Sequence, residues 1–302
     1  AGSGKTKSIS HRIAHLISQG VEPEKILAIT FTNKAAEEMR ERITSLLKTL
    51  QLSTSNSSVG QAGRSAERAG FKHPFVSTFH ALGVYILRKS GKIIGVPKKF
   101  SILDKEDSLA VVKTVIQELK IDPKQFQPSK MQSLISRQKG ELMDSENYKL
   151  EAGNEFFPAA LAKIWDKYEK RLNEQKALDF ADLVTKTVFL LKKDKEVRDY
   201  YQNFWQYILI DEYQDTNKSQ YELSKILAGK HQNICAIGDI DQCIYAFRGA
   251  DFRNIINFEN DYPDHASIVL EENYRSTQNI LEAAARVIEK NKLRKTKKLY
   301  TR

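Results

Sequence analysis

The sequence has little of what cross-linked, metal-scaffolded or membrane-spanning chains are made from. It holds two cysteines in 302 residues, Cys235 and Cys243. Neither stands in a metal-ligand spacing, which argues against a disulfide scaffold and suits a reducing compartment. The six histidines are scattered singly, so no zinc constellation is visible. No apolar run approaches the roughly eighteen residues that a membrane-spanning helix needs. No basic stretch followed by an apolar core marks a secretory signal. A cytoplasmic protein without a membrane partner is the expectation. What is present is a globular composition: 41% apolar residues, and a length sufficient for two domains. The formal net charge of +10 suits a polyanionic partner or, equally, a merely basic solvated surface. The run from Lys292 to Arg302 carries six basic residues and no acidic one. Phosphate contact and an exposed chain edge are both open readings there.

Short apolar, β-branched runs at Ile26–Phe31, Phe75–Phe79, Tyr207–Ile210, Ile234–Ile237 and Ile268–Leu270 predict buried parallel strands. Helical periodicity follows them at Lys5–Gln19, Asn33–Leu50, Ser219–Leu227 and Thr277–Glu289. Alternating strands and helices predict an α/β fold with a doubly wound parallel sheet. The Ser-, Gly- and Ala-rich stretch Ser53–Gly70 reads as a flexible surface insertion. Residues 89–176 carry helical periodicity with little strand signal, clearest at Asp104–Leu119 and Pro158–Glu174. They read as a helical subdomain inserted into the sheet domain, which is expected to resume at Ala177–Leu183.

The chain opens on AGSGKT without an initiator Met. A complete phosphate-binding loop reads GxxxxGK[ST] and follows a strand. Its first glycine and that strand would precede Ala1, so the chain is expected to be a fragment that begins inside the motif. Glycines let backbone N–H groups turn toward phosphate, and a helix start adds a favourable dipole. Lys5 is suited to the outer phosphates and Thr6 to Mg²⁺. The apolar run Tyr207–Ile210 ends in Asp211 and Glu212. An acid at a strand end suits Mg²⁺ for Asp211, and orienting and deprotonating water for Glu212. The bland alternative is an acidic helix cap, the role open to Asp215.

A third segment, Gly238 to Asp251, is polar at first and then alternates aromatic and basic residues. Gln242 is placed to sense a γ-phosphate. Tyr245 and Phe247 suit stacking on bases, and Arg248 suits a phosphate. Either aromatic taken alone is as well explained by burial. In Leu270–Ser276, Arg275 is a candidate for the charge on a cleaving γ-phosphate and Tyr274 for stacking on a purine. Phe31 could stack on a base while Thr32, Asn33 and Lys34 touch backbone phosphates. Ser77, Thr78 and His80 close another strand and are weaker DNA-contact candidates. Both segments also read as strand ends with helix caps.

In order, AGSGKT, TFTNKAA, STFH, LDFADL, LIDEYQDTN, GDIDQCIYAFRGAD and LEENYRS resemble the successive motifs of superfamily-one helicases, best the UvrD/Rep/PcrA branch. The resemblance implies a P-loop, RecA-like fold and an ATP-dependent DNA helicase that walks 3′ to 5′ on one strand. Its cofactors would be ATP and Mg²⁺, and its partners single-stranded and duplex DNA. It implies a first motor domain from 1–88 and 177–265, a helical insertion at 89–176, and the start of a second motor domain at 266–302. By that match Ala1, Gly2, Ser3, Gly4, Lys5, Thr6, Asp211, Glu212 and Gln242 line one wall of the ATP cleft. Tyr274 and Arg275 would stack on adenine and touch the γ-phosphate, while Phe31, Tyr245, Phe247 and Arg248 belong to the single-strand track. Cys243 stands where the family usually has Ser, and Phe247 where Trp is frequent. An upstream adenine-reading glutamine and the later motifs, with a second γ-phosphate arginine, are missing, so the chain alone is expected to be inactive. A P-loop enzyme of another class and the helicase part of a helicase-nuclease are the competing readings.

Overall fold

A computed structural model describes residues 2–55, 73–153, 155–291 and 297–302. In chain order the elements begin with helix α1 (Lys5–Ser18), strand β1 (Ile26–Thr30), α2 (Asn33–Ser55), β2 (Phe75–Thr78) and α3 (Phe79–Ser90). Next come β3 (Ser101–Leu103), α4 (Lys105–Glu118), α5 (Pro128–Gly140), α6 (Ser145–Ala152), α7 (Phe156–Glu174) and β4 (Ala177–Asp179). The chain continues through α8 (Phe180–Lys193), α9 (Lys195–Phe204), β5 (Tyr207–Ile210), α10 (Lys218–Ala228) and β6 (Ile234–Ala236). It ends with α11 (Arg253–Asp261) and α12 (Gln278–Ile288).

The main sheet runs β2-β1-β5-β6, and every pairing in it is parallel. All of β1 is buried because it is central and covered on both faces. Strand periodicity sorts its side chains. Ile26 and Ala28 join Leu209 against Ile9, Ile13, Met39 and Ile43 of α1 and α2. Leu27 and Ile29 join Ile208 and Ile210 against Leu82, Leu183, Val188 and Leu223 of α3, α8 and α10. A sheet buried on both faces explains why these strands read as unbroken apolar runs.

A separate core gathers Val112, Val115, Met131, Ile135, Ile164, Trp165 and Tyr168 from α4, α5 and α7. Asp104 caps α4 through the amides of Glu106 and Asp107, and Asp144 caps α6 through Asn147. Each such cap stabilises its helix by about 1 kcal/mol. No described helix is long and apolar enough to cross a membrane.

Two sequence expectations need correction, and a third falls on residues outside those described. Ile268–Leu270 forms no strand, and Ile268 and Val269 are exposed. An apolar run becomes a strand only where a neighbour supplies ladder bonds, and no described strand lies beside it. Conversely, Ser101–Leu103 does form a strand within the segment read as helical. It pairs in parallel with Ala177–Asp179, so β4 lies in a small second sheet and not in the main one. The stretch Ser53–Gly70 lies outside the described residues, apart from three positions that continue α2.

Candidate functional site

Register brings the motifs to one edge. Ile29 pairs with Ser77 and with Ile210, which pairs with Ala236. The chain therefore leaves β1, β2, β5 and β6 at one level, at the carboxyl ends of the strands, where α/β sheets bind ligands. The Gly2–Thr6 turn faces that edge. Gly2 and Gly4 adopt left-handed φ of 90° and 82°, a conformation that disfavours any side chain. At Gly2 a Cβ would also lie 2.6 Å from Arg275 Cβ. Helix α1 starts with no side-chain cap and no acid in its first turn, an arrangement in which a helix start can take an anion.

Opposite the turn, Thr6 Oγ1 donates to Asp211 Oδ2 at 2.8 Å. Lys5 Nζ lies 3.2 Å from Glu212 Oε2 and donates to Gln242 Oε1 at 3.2 Å. Asp211 is buried, and burial raises its carboxyl above the ordinary range despite the Thr6 hydrogen bond. Glu212 sits at φ 49°, a left-handed conformation that costs a non-glycine residue about 1–3 kcal/mol. Ladder bonds on either side hold it there: Asp211 N–H to Ile29 O and Tyr213 N–H to Ile237 O, both 2.9 Å. Burial and then the Glu212 charge push the Asp215 carboxyl up to about 6.

Asp239 caps the short turn that carries Gln242, accepting from Asp241 N–H at 3.1 Å and from the Gln242 amide. Burial draws its carboxyl upward, but Lys297, Lys5 and Gln242 together hold it below the ordinary range. Lys297 bridges Asp239 and Asp241, 3.1 Å from the latter. The segment around Arg275 docks on the glycine turn through Tyr274 N–H to Gly2 O at 2.9 Å. Buried Asn273 shapes it by accepting from the amides of Arg275 and Ser276, each at 2.9 Å. Tyr274 and Arg275 are both exposed.

The aromatic candidates divide. Tyr245 and Phe247 are 38% and 78% exposed, with ring centres 6.1 Å apart, and Ile244 beside them is exposed too. Phe31 is half-buried and meets Phe79 edge-on at 6.0 Å. Thr32 caps α2 through Ala35 N–H, and Asn33 and Lys34 are exposed beside it. Ser77 and Thr78 are buried; the Ser77 hydroxyl donates to Thr78 O and Thr78 caps α3. His80 has its pKa lowered by burial and packs 5.6 Å from the exposed ring of Phe180. Ala1 and the side chain of Arg248 lie outside the described residues. Sequence reasoning assigned no role to Gln214, Asp239, Lys297 or Phe180. The motif strings contain Gln214, Asp239 and Phe180, but a string does not show which polar residue is buried.

A parallel α/β sheet with a glycine turn and uncapped helix facing paired acids defines a P-loop domain of the RecA-like kind. The description UvrD/REP helicase N-terminal domain matches residues 1–263, and the chain belongs to that family. Proteins named ATP-dependent DNA helicase PcrA from Staphylococcus epidermidis and Bacillus subtilis are 45% identical over all 302 residues. One from Staphylococcus aureus is 44% identical over the same span. The chain covers 38% of the length of each of these relatives.

Proposed function

We propose that this chain is the ATP-hydrolysing, strand-gripping part of an ATP-dependent DNA helicase that moves 3′ to 5′ on one strand of a duplex, in repair or replication in the cytoplasm. One observation carries the reading. Lys5, Thr6, Asp211, Glu212 and Gln242 converge on one sheet edge, and the exposed rings of Tyr245 and Phe247 follow Gln242 on the same loop. We assign 1–88 and 177–265 to a first motor domain, 89–176 to a helical insertion and 266–302 to the start of a second motor domain.

In this reading the glycine turn of Ala1, Gly2, Ser3 and Gly4 and the start of α1 take the phosphates of ATP, and Lys5 leaves Glu212 for the outer ones. Thr6 and Asp211, a hydroxyl and one carboxylate in contact, fit the few protein ligands that Mg²⁺ accepts beside phosphate oxygens. Bound there, Mg²⁺ would neutralise charge on the β- and γ-phosphates. Glu212 accepts the proton of the attacking water as its oxygen bonds to the γ-phosphorus. The bond from that phosphorus to the bridging oxygen breaks, and ADP leaves with the electron pair. Gln242 and Arg275 contact the γ-phosphate, and exposed Tyr274 stacks on adenine. Phe31, Tyr245 and Phe247 stack on bases of the single strand, while Thr32, Asn33, Lys34, His80 and Arg248 line its path. Ser77 and Thr78, expected as direct contacts, are buried with their hydroxyls bonded to the backbone and so support the strand end instead. Stacking and backbone contact suit a motor that must accept any sequence.

The test is single-strand-stimulated ATP hydrolysis by the full-length protein. Lys5→Ala is expected to abolish it and leave the thermal unfolding midpoint close to that of the parent. Normal turnover by a folded Lys5→Ala protein would reject the reading.

A further inference from the structure

Gln214 is a glutamine with 1% of its surface exposed, between two carboxylates at the centre of the site. A buried primary amide has two N–H donors and a carbonyl acceptor to satisfy. Here all are used. Nε2 donates to Glu212 Oε2 at 2.8 Å and to Asp215 Oδ2 at 3.2 Å. Oε1 accepts from the backbone N–H of Asp239 at 2.9 Å. Gly238, just before, packs closely against this amide: a Cβ added there would lie 2.7 Å from Gln214 Oε1 and would push on it. The amide therefore joins the end of β5 to the loop after β6.

We propose that Gln214 is the positioning residue for Glu212: it holds one carboxylate oxygen fixed, relative to the Asp239–Gln242 loop, so that the other takes the proton from water. This rests on the assignment of Glu212 as the base. Lys5 and Gln214 hold the same oxygen, Oε2. Once phosphates recruit Lys5, Gln214 is the group that still restrains the carboxylate. Glu212 also occupies a strained backbone conformation, so a side-chain anchor matters more than at a relaxed position. The anchor must be a neutral donor, since a third carboxylate here would face both Glu212 and Asp215.

The experiment uses the full-length protein with saturating single-stranded DNA. Gln214→Met, Gln214→Glu and Gly238→Ala are made alone and in a Glu212→Gln background. Steady-state ATP hydrolysis and equilibrium binding of a non-hydrolysable ATP analogue are read together. Gln214→Met and Gly238→Ala should lower kcat by about ten- to a hundredfold, the scale of a misplaced catalytic group, with analogue affinity nearly unchanged. Gln214→Glu should lower kcat at least as much, because a carboxylate in place of the amide cannot donate to Glu212 and repels it. In the Glu212→Gln background the same substitutions should cost almost nothing further, because a positioning residue has nothing left to position. Gly238→Ala leaves Gln214 itself intact, so it speaks even if the Gln214 variants fold poorly. An equal loss in both backgrounds, or a kcat loss that merely tracks analogue affinity and the unfolding midpoint, would overturn the proposal. Parent-like turnover by Glu212→Gln would instead remove the base assignment beneath it, a separate and recognisable failure.

Discussion

Two lysines in this chain sit among carboxylates, in surroundings that differ in burial and in the number of charges they meet. Lys139, on α5, is 3% exposed and meets Glu169 at 2.6 Å, Asp179 at 2.8 Å and Asp182 at 2.9 Å. The Tyr168 ring lies 5.3 Å from the ammonium, and the Tyr168 hydroxyl donates to Asp179 at 3.0 Å. Burial alone would lower the Lys139 pKa, but the three carboxylates outweigh it and raise it well above the ordinary value. Lys5 is 11% exposed and has one carboxylate and one amide as partners, the carboxylate itself more than a third exposed. The first cluster is closed, and its charges have nowhere else to go. The second sits at the start of a helix without a side-chain cap, and in the proposed function its partners give way to phosphate. Similar ionic chemistry thus fastens the α5–α7 unit to α8 in one place and leaves a partly exposed pair in the other.

The comparison predicts a crossover. Lys5→Ala should remove hydrolysis and barely move stability. Lys139→Met should destabilise by about 3–5 kcal/mol, because breaking a buried ionic cluster strands uncompensated charge. Denaturant unfolding of both variants, with ATP turnover measured alongside, checks this. Equal stability loss in the two would erase that distinction.

A middle-sized effect belongs to the exposed rings. Tyr245→Ala or Phe247→Ala should weaken single-strand binding by about 1–3 kcal/mol, the value of one stacked base. DNA-free hydrolysis should change far less. Binding to a labelled single strand across a salt series measures it. Variants that bind like the parent but unfold earlier would return these rings to the core.

The smallest expected effect is a pH signature. Burial and the Glu212 charge raise the Asp215 carboxyl to about 6, above its unfolded value. The stability carried by its protonated form is present below about pH 4, the ordinary carboxyl range, and is lost as pH rises through about 6. Asp215→Asn should therefore raise the unfolding midpoint more at pH 7.5 than at pH 5. A pH-independent change would show that the raised pKa is not what governs it.

What could be read from the sequence follows the same divide between local and assembled features. The strands of the main sheet were legible because burial on both faces writes a continuous apolar run, as in Ile26–Thr30. Ile268–Leu270 carries the same pattern without a partner, and the pattern does not record partners. Ser101–Leu103 was missed because three residues, two of them exposed, leave no periodicity to detect. The candidate residues Lys5, Thr6, Asp211, Glu212 and Gln242 were named from motif strings, and the fold shows their proximity. The Lys139 cluster was invisible, since charges on α5 and α7 look like any solvated helix face until the helices are packed. Gln214 was hidden in plain text for a related reason: its amide gains meaning only when Asp239 arrives from 25 residues away.

The central claim is that the edge holding Lys5 and Glu212 is a hydrolytic site with separable binding and water-activating parts. Glu212→Gln in the full-length protein tests it most directly, with ATP-analogue affinity and single-strand-stimulated hydrolysis measured on the same preparation. The account predicts affinity close to that of the parent and hydrolysis reduced by about 10²–10⁴-fold, the usual contribution of a general base. Near-normal hydrolysis, or an equal collapse of binding, would contradict it.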